Sequence, residues 1–444
     1  MIRLSFEDGT VRVEGASERD LPGVESDART DTGRAPAYRY AAIRAALGDA
    51  GVAYEDDVLR DSALGVASSY ELRDYQREAS SAWRDNDRRG VIELPTGSGK
   101  TVIGVHAIES VGRSALVVVP TVDLLVQWRE ELEAEFDVPV GQLGGGEQVV
   151  EDLTVATYDS AYLRADGLGD RFGLLVLDEV HHLGGEGYRD IGRLFAAPAR
   201  LGLTATFERP DGEHAVIEDL VGPVVYRLSA DDLAGTHLAD YDVKRRSVPL
   251  TDDERERYED AQGTFTDYLE SSNIQFRSGS DYQELVKRSG SDPAAREALL
   301  AKQRAREIVQ ESENKVRELA SILDRHRGDR VIVFTASTDL VYRLSERYLI
   351  PAITHETGAS ERRRVLDAFR RGDYSRVVTA NVLDEGVDVP AANVGVLLAG
   401  SGSEREFTQR LGRLLRPTDD GGRAVLYELV SEDTAEERVA ARRR

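Results

Sequence analysis

The sequence predicts an α/β protein with two parallel-sheet domains in tandem, a small α+β module ahead of them and a helical segment between. Two series of apolar runs carry that prediction. From about Tyr70 the runs GVIEL, SALVVVP, LTVATY, FGLLVLDEV and RLGLTAT alternate with helical patterns, and a second series begins near Arg330 with DRVIVFTAS, SRVVTAN, NVGVLLAG and RAVLYELV. Strands buried on both faces read as unbroken Val/Ile/Leu runs, and their alternation with helices implies right-handed β-α-β units. The third observation is the fading of strand signals between the two series. A chain of 444 residues fits about three domains at roughly 150 residues each.

Taken in order, residues 2–14 alternate apolar and polar around Asp8-Gly9, a strong hairpin signal. An acidic Gly- and Asp-rich patch from Glu14 to Pro36, a helical run from Tyr38 to Leu47 and a further acidic stretch complete a module at 1–65. The first α/β domain is expected at 66–228 and the second at 324–444. Between them, 229–323 holds VKRRSVPL and then long helical patterns. Ala294 to Leu323 offers Leu299, Ile308, Val309, Val316, Leu319 and Ile322 for one apolar face, and an inserted helical arm and a plain interdomain bundle fit this periodicity equally. No internal repeat of 20–50 residues accompanies the duplicated α/β texture.

Composition narrows the environment. Basic residues number 57 against 81 acidic, a net charge of −24. Only five of the 57 are lysines, at 100, 244, 287, 302 and 315. Such acidity with so little lysine is expected of a protein adapted to concentrated salt. In ~1 M salt the Debye length is about 3 Å, so local basic clusters still bind phosphate. The runs Lys244-Arg245-Arg246, Arg362-Arg363-Arg364 and Arg442-Arg443-Arg444 are read as solvated surface first and as nucleic-acid contacts second. The absence of cysteine excludes disulfides and thiolate metal sites. No stretch approaches 18 apolar residues and the first fifteen residues lack an apolar signal core, so a cytoplasmic protein without a membrane span is expected.

One of the scarce lysines sits in GVIELPTGSGKTVIG. Thr96, Gly97, Ser98 and Gly99 lead from a strand-like run into Lys100 and Thr101, a relaxed form of the glycine-rich phosphate loop. Backbone N–H groups at such a turn point at a phosphate, Lys100 reaches the β/γ-phosphates and the Thr101 hydroxyl ligates Mg²⁺. The strand FGLLVLD ends in Asp178-Glu179-Val180-His181-His182, at the carboxyl end where open α/β sheets place ligands. Asp178 is positioned to hold Mg²⁺ and Glu179 to orient or deprotonate the attacking water. The two histidines point to opposite faces of an extended chain and do not make a zinc site. These two motifs alone fit a small-molecule kinase or a transporter ATPase as well as a motor.

The remaining blocks choose among them. The Gln76 amide in LRDYQ offers a donor and an acceptor to an adenine, and Leu203-Thr204-Ala205-Thr206 ends another strand beside the acid pair. The second half offers DEGVD, with Gly386 and Asp388, and QRLGRLLR, with Gln409, Arg413 and Arg416. The two arginines lie three apart on one helix face, and their planar forks suit phosphate oxygens.

This order of blocks resembles the superfamily two helicases: Gln76, the phosphate loop, Pro120-Thr121, VATYDS with Thr157, a DExH-type box, TAT and the QRLGRLLR box, from about Leu72 to Pro417. More narrowly it is similar to the archaeal XPB-type DNA helicases, through LRDYQREA, DEVHH, LGLTATFER, the run Gly144-Gly145-Gly146 and a helical insertion the size of that family's thumb. Arg209-Pro210-Asp211 stands where the family carries an arginine-glutamate-aspartate element, with proline replacing the acid. The module at 1–65 resembles the family's damage-recognition domain by position and size.

The resemblance implies two RecA-like domains that share one ATP with Mg²⁺, Gln409, Arg413 and Arg416 acting across the cleft as catalytic groups and Gly386 and Asp388 as nucleotide contacts. His181, Thr204 and Thr206 are the coupling residues. Pro120, Thr121, Gln127, Thr157, Ser337, Thr379 and Asn381 are the candidate contacts to a DNA strand, gripped through phosphates rather than bases. Trp128 is read as a core aromatic in preference to a base-stacking one. The resemblance further implies a monomer moving 3′→5′ on single-stranded or forked DNA, with a nuclease partner, in excision repair or transcription. An RNA-dependent helicase, a duplex translocase that does not unwind and a non-motor phosphate-loop enzyme are the rivals.

Overall fold

The computed structural model describes residues 2–15, 20–27, 30, 32–95, 97–185, 187–207, 212–229, 232, 241–272, 279–380, 392–398 and 424–441. The chain divides into two units, Met1–Leu233 with Glu385–Val387 and Ala234–Asp384 with Asp388–Arg444.

In the first unit Asp8 and Gly9 adopt φ of 46° and 74°, the left-handed pair that a tight hairpin requires. The turn joins β1 (Ile2–Glu7) to β2 (Thr10–Glu14) with Glu7 opposite Thr10. With β3 (Glu25–Asp27), β4 (Thr32–Pro36) and β5 (Tyr54–Asp57) these strands form a sheet ordered β3-β4-β2-β1-β5. Helix α1 (Tyr40–Asp49) covers it, burying Tyr40, Ile43 and Leu47. Ala196 of the following domain belongs to the same core, and Arg60–Asp170 and Arg113–Asp61 ion pairs strap the connecting chain down. Module and first α/β domain therefore share packing, not merely a tether.

Among the described residues that domain forms an eight-stranded sheet ordered β13-β6-β12-β11-β7-β10-β8-β9. Its strands are β6 (Arg89–Glu93), β7 (Ala115–Val119), β8 (Val140–Gly144), β9 (Glu147–Val149), β10 (Leu153–Thr157), β11 (Leu174–Asp178), β12 (Ala199–Thr204) and β13 (Val224–Arg227). All pair in parallel except the antiparallel edge strand β9. The apolar runs of β7, β10 and β11 are buried along their full length, and each fully buried Val or Leu contributes about 1.5–3 kcal/mol. Helices α2 (Asp74–Asp85), α3 (Lys100–Val111), α4 (Val122–Glu135), α5 (Tyr158–Leu168), α6 (Arg189–Leu194) and α7 (His214–Leu220) make the crossovers and flanking turns. Because α3 carries the chain from β6 past β12 and β11 to β7, a switch point opens at the carboxyl ends of these strands.

Among the described residues the second unit holds a six-stranded, all-parallel sheet ordered β14-β19-β18-β15-β17-β16. The strands are β14 (Tyr241–Val248), β15 (Val331–Phe334), β16 (Ala352–Ile353), β17 (Arg376–Thr379), β18 (Val394–Leu397) and β19 (Ala424–Ser431). Its helices are α8 (Asp252–Ser272), α9 (Gly279–Ser289), α10 (Pro293–Gln310), α11 (Glu313–Arg325), α12 (Thr338–Tyr348), α13 (Ala359–Arg371) and α14 (Ala435–Ala441).

Two features differ from the sequence reading. The run VKRRSVPL, the last strand signal before the helical patterns and placed there with the linker and thumb, supplies residues 243–248 of the edge strand β14, which joins the second sheet by pairing in parallel with β19 from Tyr241↔Ala424 to Val248↔Ser431. The helical stretch from Ala294 to Leu323 is two helices, not one. Its break is held by Glu254 of α8, whose buried carboxylate accepts from the Glu313 backbone N–H at 2.8 Å and from the Ser312 hydroxyl at 3.3 Å. A carboxylate there satisfies orphan N–H groups and complements the helix dipole. The apolar residues divide accordingly. Val309 packs with Leu250, Tyr258 and Ala305 in the helical segment, whereas Val316, Leu319 and Ile322 pack on Val331 and Val333 of the sheet. Leu299 and Ile308 are only partly buried.

Candidate nucleotide site and strand contacts

The phosphate loop follows β6 as the sequence predicts. Gly97 and Gly99 take φ of 82° and 79°, a conformation that favours glycine, and α3 begins at Lys100. The Lys100 ammonium donates to the carbonyls of Leu94 at 3.1 Å and Pro95 at 3.4 Å. It is folded back on its own loop, and thus available to exchange two neutral acceptors for an anion. Thr101 lies in the first turn of α3. Thr96 falls outside the described residues.

Gln76 is buried on α2, and both ends of its amide are already used. Its Oε1 accepts from the Arg73 backbone N–H at 2.9 Å, and its Nε2 donates to the Ser98 carbonyl at 2.9 Å. Tyr75 donates to the same carbonyl at 2.6 Å. The sequence reading offered this amide to an adenine; in the structure it clamps the phosphate loop. A Cβ at Gly99 would stand 2.6 Å from Gln76 Nε2, so glycine there is required by close approach as well as by φ.

Asp178 and Glu179 stand at the end of β11. The Asp178 carboxylate accepts from the Trp128 indole N–H at 2.8 Å and from the Glu179 backbone N–H at 3.0 Å. Burial pushes the Asp178 carboxyl up to about 6, the Glu179 charge adds to the rise, and the Trp128 bond and Lys100 oppose it. Its hydrogen-bond donors are neutral, which leaves a buried charge that a cation would compensate. The residues thus fit a divalent metal. Glu179 sits at φ 48°, strained for a non-glycine residue, and its carboxylate lies 3.4 Å from the Thr204 hydroxyl. His181 Nδ1 lies 3.1 Å from the Thr204 hydroxyl. The Thr204 carbonyl accepts from the Leu94 N–H at 3.0 Å, and its hydroxyl bridges to the Thr206 backbone. The three proposed coupling residues therefore form one network between the acid pair and the phosphate loop.

The strand-contact candidates separate by burial. Thr121 caps α4, accepting from the Leu124 N–H, and follows Pro120 at the end of β7; it is partly exposed, as is Gln127. Thr157 caps α5 but is buried with its hydroxyl engaged by Ser160. In the second unit Ser337 caps α12 and donates to Glu311 at 2.7 Å. Thr379 is fully buried and donates to the Ala380 carbonyl, which removes its side chain from the surface available to a strand. Arg245 of the first basic run is paired with Glu428. Asn381, Gly386, Asp388, Gln409, Arg413, Arg416 and residues 209–211 and 442–444 lie outside the described residues.

Sequence reasoning missed Trp128 and Tyr158 as parts of this site. Trp128 is 1 % exposed, as a core aromatic should be, yet its polar edge meets the metal-binding candidate. Tyr158 is buried and donates to the Asp178 carbonyl at 3.2 Å. The available signal was that a buried indole or phenol needs an acceptor. Among the described residues no helix is long and apolar enough to cross a membrane.

Comparison with known proteins gives the chain a family. Residues 69–209 match the family model for the res subunit of type III restriction enzymes, 298–444 the ERCC3/RAD25/XPB C-terminal helicase and 4–58 the xeroderma pigmentosum group B helicase damage recognition domain. The last match gives the small module a family identity that position and size only suggested. The chain is 42% identical over 429 residues to the DNA 3'-5' translocase XPB2 of Sulfurisphaera tokodaii, covering 96% of this chain and 97% of that protein. It is 34% identical to the Rad25 of Halobacterium salinarum described as a putative DNA 3'-5' helicase, covering 98% of this chain and 68% of that one. The DNA 3'-5' helicase XPB of Mycobacterium tuberculosis is 31% identical, covering 84% and 63%. The helicase domain of Pyrococcus furiosus Hef superposes with a TM-score of 0.54 at 20% identity, over 84% of this chain and 98% of that domain, and shows the shared fold of tandem RecA-like domains. With a full-length relative at this identity and three family models in the expected order, the chain belongs to the XPB-like family of superfamily two helicases.

Proposed function

We propose that this protein is an ATP-dependent DNA helicase or translocase that couples hydrolysis to 3′→5′ movement on, or opening of, DNA. One observation carries the reading: a buried carboxylate, Asp178, held by neutral donors at the end of β11 within electrostatic reach of the phosphate-loop lysine Lys100. The names of its relatives, DNA 3'-5' translocase and helicase, support the direction and the polymer.

In this reading Gly97, Ser98, Gly99 and Lys100 cradle the phosphates, and Thr101 and Asp178 hold Mg²⁺. A cation held by Thr101 and Asp178 would supply charge neutralisation for the phosphates. Glu179 orients water, with Thr204 and His181 beside its carboxylate. The second domain supplies Gly386 and Asp388 to the nucleotide and Gln409, Arg413 and Arg416 to the transferring phosphoryl group. Arginines in that role contribute ~10³–10⁵ in rate. Since they favour the closed arrangement only while a γ-phosphate is present, hydrolysis shifts the equilibrium between domains. Pro120, Thr121 and Gln127 in the first domain and Ser337 and Asn381 in the second grip the strand alternately.

The same reading assigns the chain to a cytoplasm of high salt, as a monomer working beside a nuclease in excision repair or in transcription. It is supported by the net charge of −24 and by yeast XPB/SSL2, named as a subunit of the general transcription and DNA repair factor IIH. ATPase activity in concentrated salt, measured alone and with single-stranded DNA, duplex DNA and RNA, tests it. Stimulation greatest with DNA is expected; no stimulation by any nucleic acid refutes it.

A further inference from the structure

Two aromatic side chains to which the sequence motifs assign no role converge on Asp178 from two separate helices. Trp128 projects from α4, 1 % exposed, and its indole N–H donates to the Asp178 carboxylate at 2.8 Å. Tyr158 opens α5, 2 % exposed, and its hydroxyl donates to the Asp178 carbonyl at 3.2 Å. Each helix is capped by a strand-end threonine, Thr121 for α4 and Thr157 for α5. Trp128 stands seven residues from Thr121, two turns along the same face and about 10 Å of helix. Tyr158 is the residue next to Thr157.

Both rings are held on other sides as well. A Cβ at Gly104 of α3 would lie 2.5 Å from Trp128 Cη2, so the indole is seated directly against the helix that begins at Lys100. The Tyr158 ring lies 5.7 Å from His182 and 5.3 Å from Tyr188. In so close-packed a setting a helix shift is passed on to the side chains it carries. A buried N–H is not free to part from its acceptor without loss.

We infer that Trp128 and Tyr158 are positioning residues that report the engagement of a nucleic-acid strand at the amino ends of α4 and α5 to Asp178. A strand phosphate drawn to the start of α4 beside the partly exposed Thr121 shifts the helix, and the indole carries the carboxylate with it. The phenol holds the Asp178 backbone, so the two contacts together set where the cation-binding oxygens stand. A displacement on the order of 1 Å is enough to change a rate by 10². The inference rests on the proposed motor function and adds the route by which a bound strand changes hydrolysis.

The chain has two tryptophans, which makes a direct test available. Trp83 lies elsewhere, donating to the Arg200 carbonyl, so Trp83→Phe leaves Trp128 as the sole indole. Titrating that variant with oligo(dT) in the absence of nucleotide should change its fluorescence emission in parallel with binding measured by anisotropy of a labelled strand. Unchanged emission with the strand bound would overturn the inference. Trp128→Phe keeps the ring and removes the N–H, and Tyr158→Phe removes only the hydroxyl. Each should lower the ratio of DNA-stimulated to unstimulated hydrolysis roughly tenfold and leave strand affinity within about twofold, there being no direct contact to lose. If both variants keep the wild-type ratio the inference is wrong, whereas a wild type that no strand stimulates refutes the motor function itself. Should Trp128→Phe not fold, Tyr158→Phe and the fluorescence titration still decide.

Discussion

The Gln76 side chain donates to the Ser98 carbonyl at 2.9 Å while its oxygen accepts from the Arg73 N–H. This buried amide ties the start of α2 to the phosphate loop. Gln76→Glu replaces the donor with an acceptor facing that carbonyl, and an unsatisfied buried pair costs about 1–3 kcal/mol. Weaker nucleotide binding by roughly 10- to 100-fold is expected, read from titration with a fluorescent ADP analogue. Unchanged affinity would mean that the clamp does not shape the loop.

Lys100→Ala and Arg413→Ala test the two halves of the proposed nucleotide site. Among the described residues the Lys100 ammonium bonds to loop carbonyls alone, so its removal should leave the melting temperature nearly unchanged and reduce turnover at least about 100-fold. Arg413→Ala should cut turnover by ~10³ or more with nucleotide affinity largely kept. Full activity in the arginine variant would rule out a site shared by two domains.

Asp178 predicts a pH dependence. Burial raises its carboxyl to about 6, so below that pH the group is protonated and holds a cation poorly. At limiting Mg²⁺, hydrolysis should fall as the pH drops through about 6. Metal-free stability runs the other way: the folded chain binds this proton more tightly than the unfolded chain, so the site's contribution is complete below the ordinary carboxylate range and is lost as the pH rises through about 6. Comparing melting temperatures of wild type and Asp178→Asn with EDTA across pH 4–7 measures this. A difference that does not vary with pH would remove Asp178 from the titration.

Lys315 is fully buried in the second unit, donating to the Leu398 carbonyl at 2.9 Å and to Glu436 at 2.6 Å. Burial lowers its pKa and the Glu436 charge opposes the change. Lys315→Met strands a carboxylate and a carbonyl, and should destabilise the fold by about 3 kcal/mol in denaturant titration, with Lys315→Met/Glu436→Leu recovering part of the loss. A single variant as stable as wild type would show the pair to be dispensable.

Much of the protein was legible from local pattern. The Asp8-Gly9 hairpin, the strand ending at Asp178 and the glycine-rich turn before Lys100 each follow from a few neighbouring residues whose backbone preferences and burial agree. Even the lysine scarcity was informative. Lys100 occupies the phosphate loop, Lys315 a buried ion pair, and Lys302 stands 5.1 Å over the Phe265 ring, sites where a compact ammonium on a flexible stem differs from a planar fork.

Relations between distant segments were decided only by the fold. Nothing within VKRRSVPL tells that its partner is the run from Ala424 to Ser431, because strand pairing is chosen by which edges meet. Nor does Ala294 to Leu323 announce its break, since the capping carboxylate comes from Glu254 on another helix. Composition and periodicity determined the two sheets and the order of the phosphate-binding blocks. Tertiary packing decided that Thr379 is buried and that Trp128, an ordinary core side chain by pattern, turns its one polar atom to Asp178, because a buried donor takes whichever acceptor the folded chain brings to it.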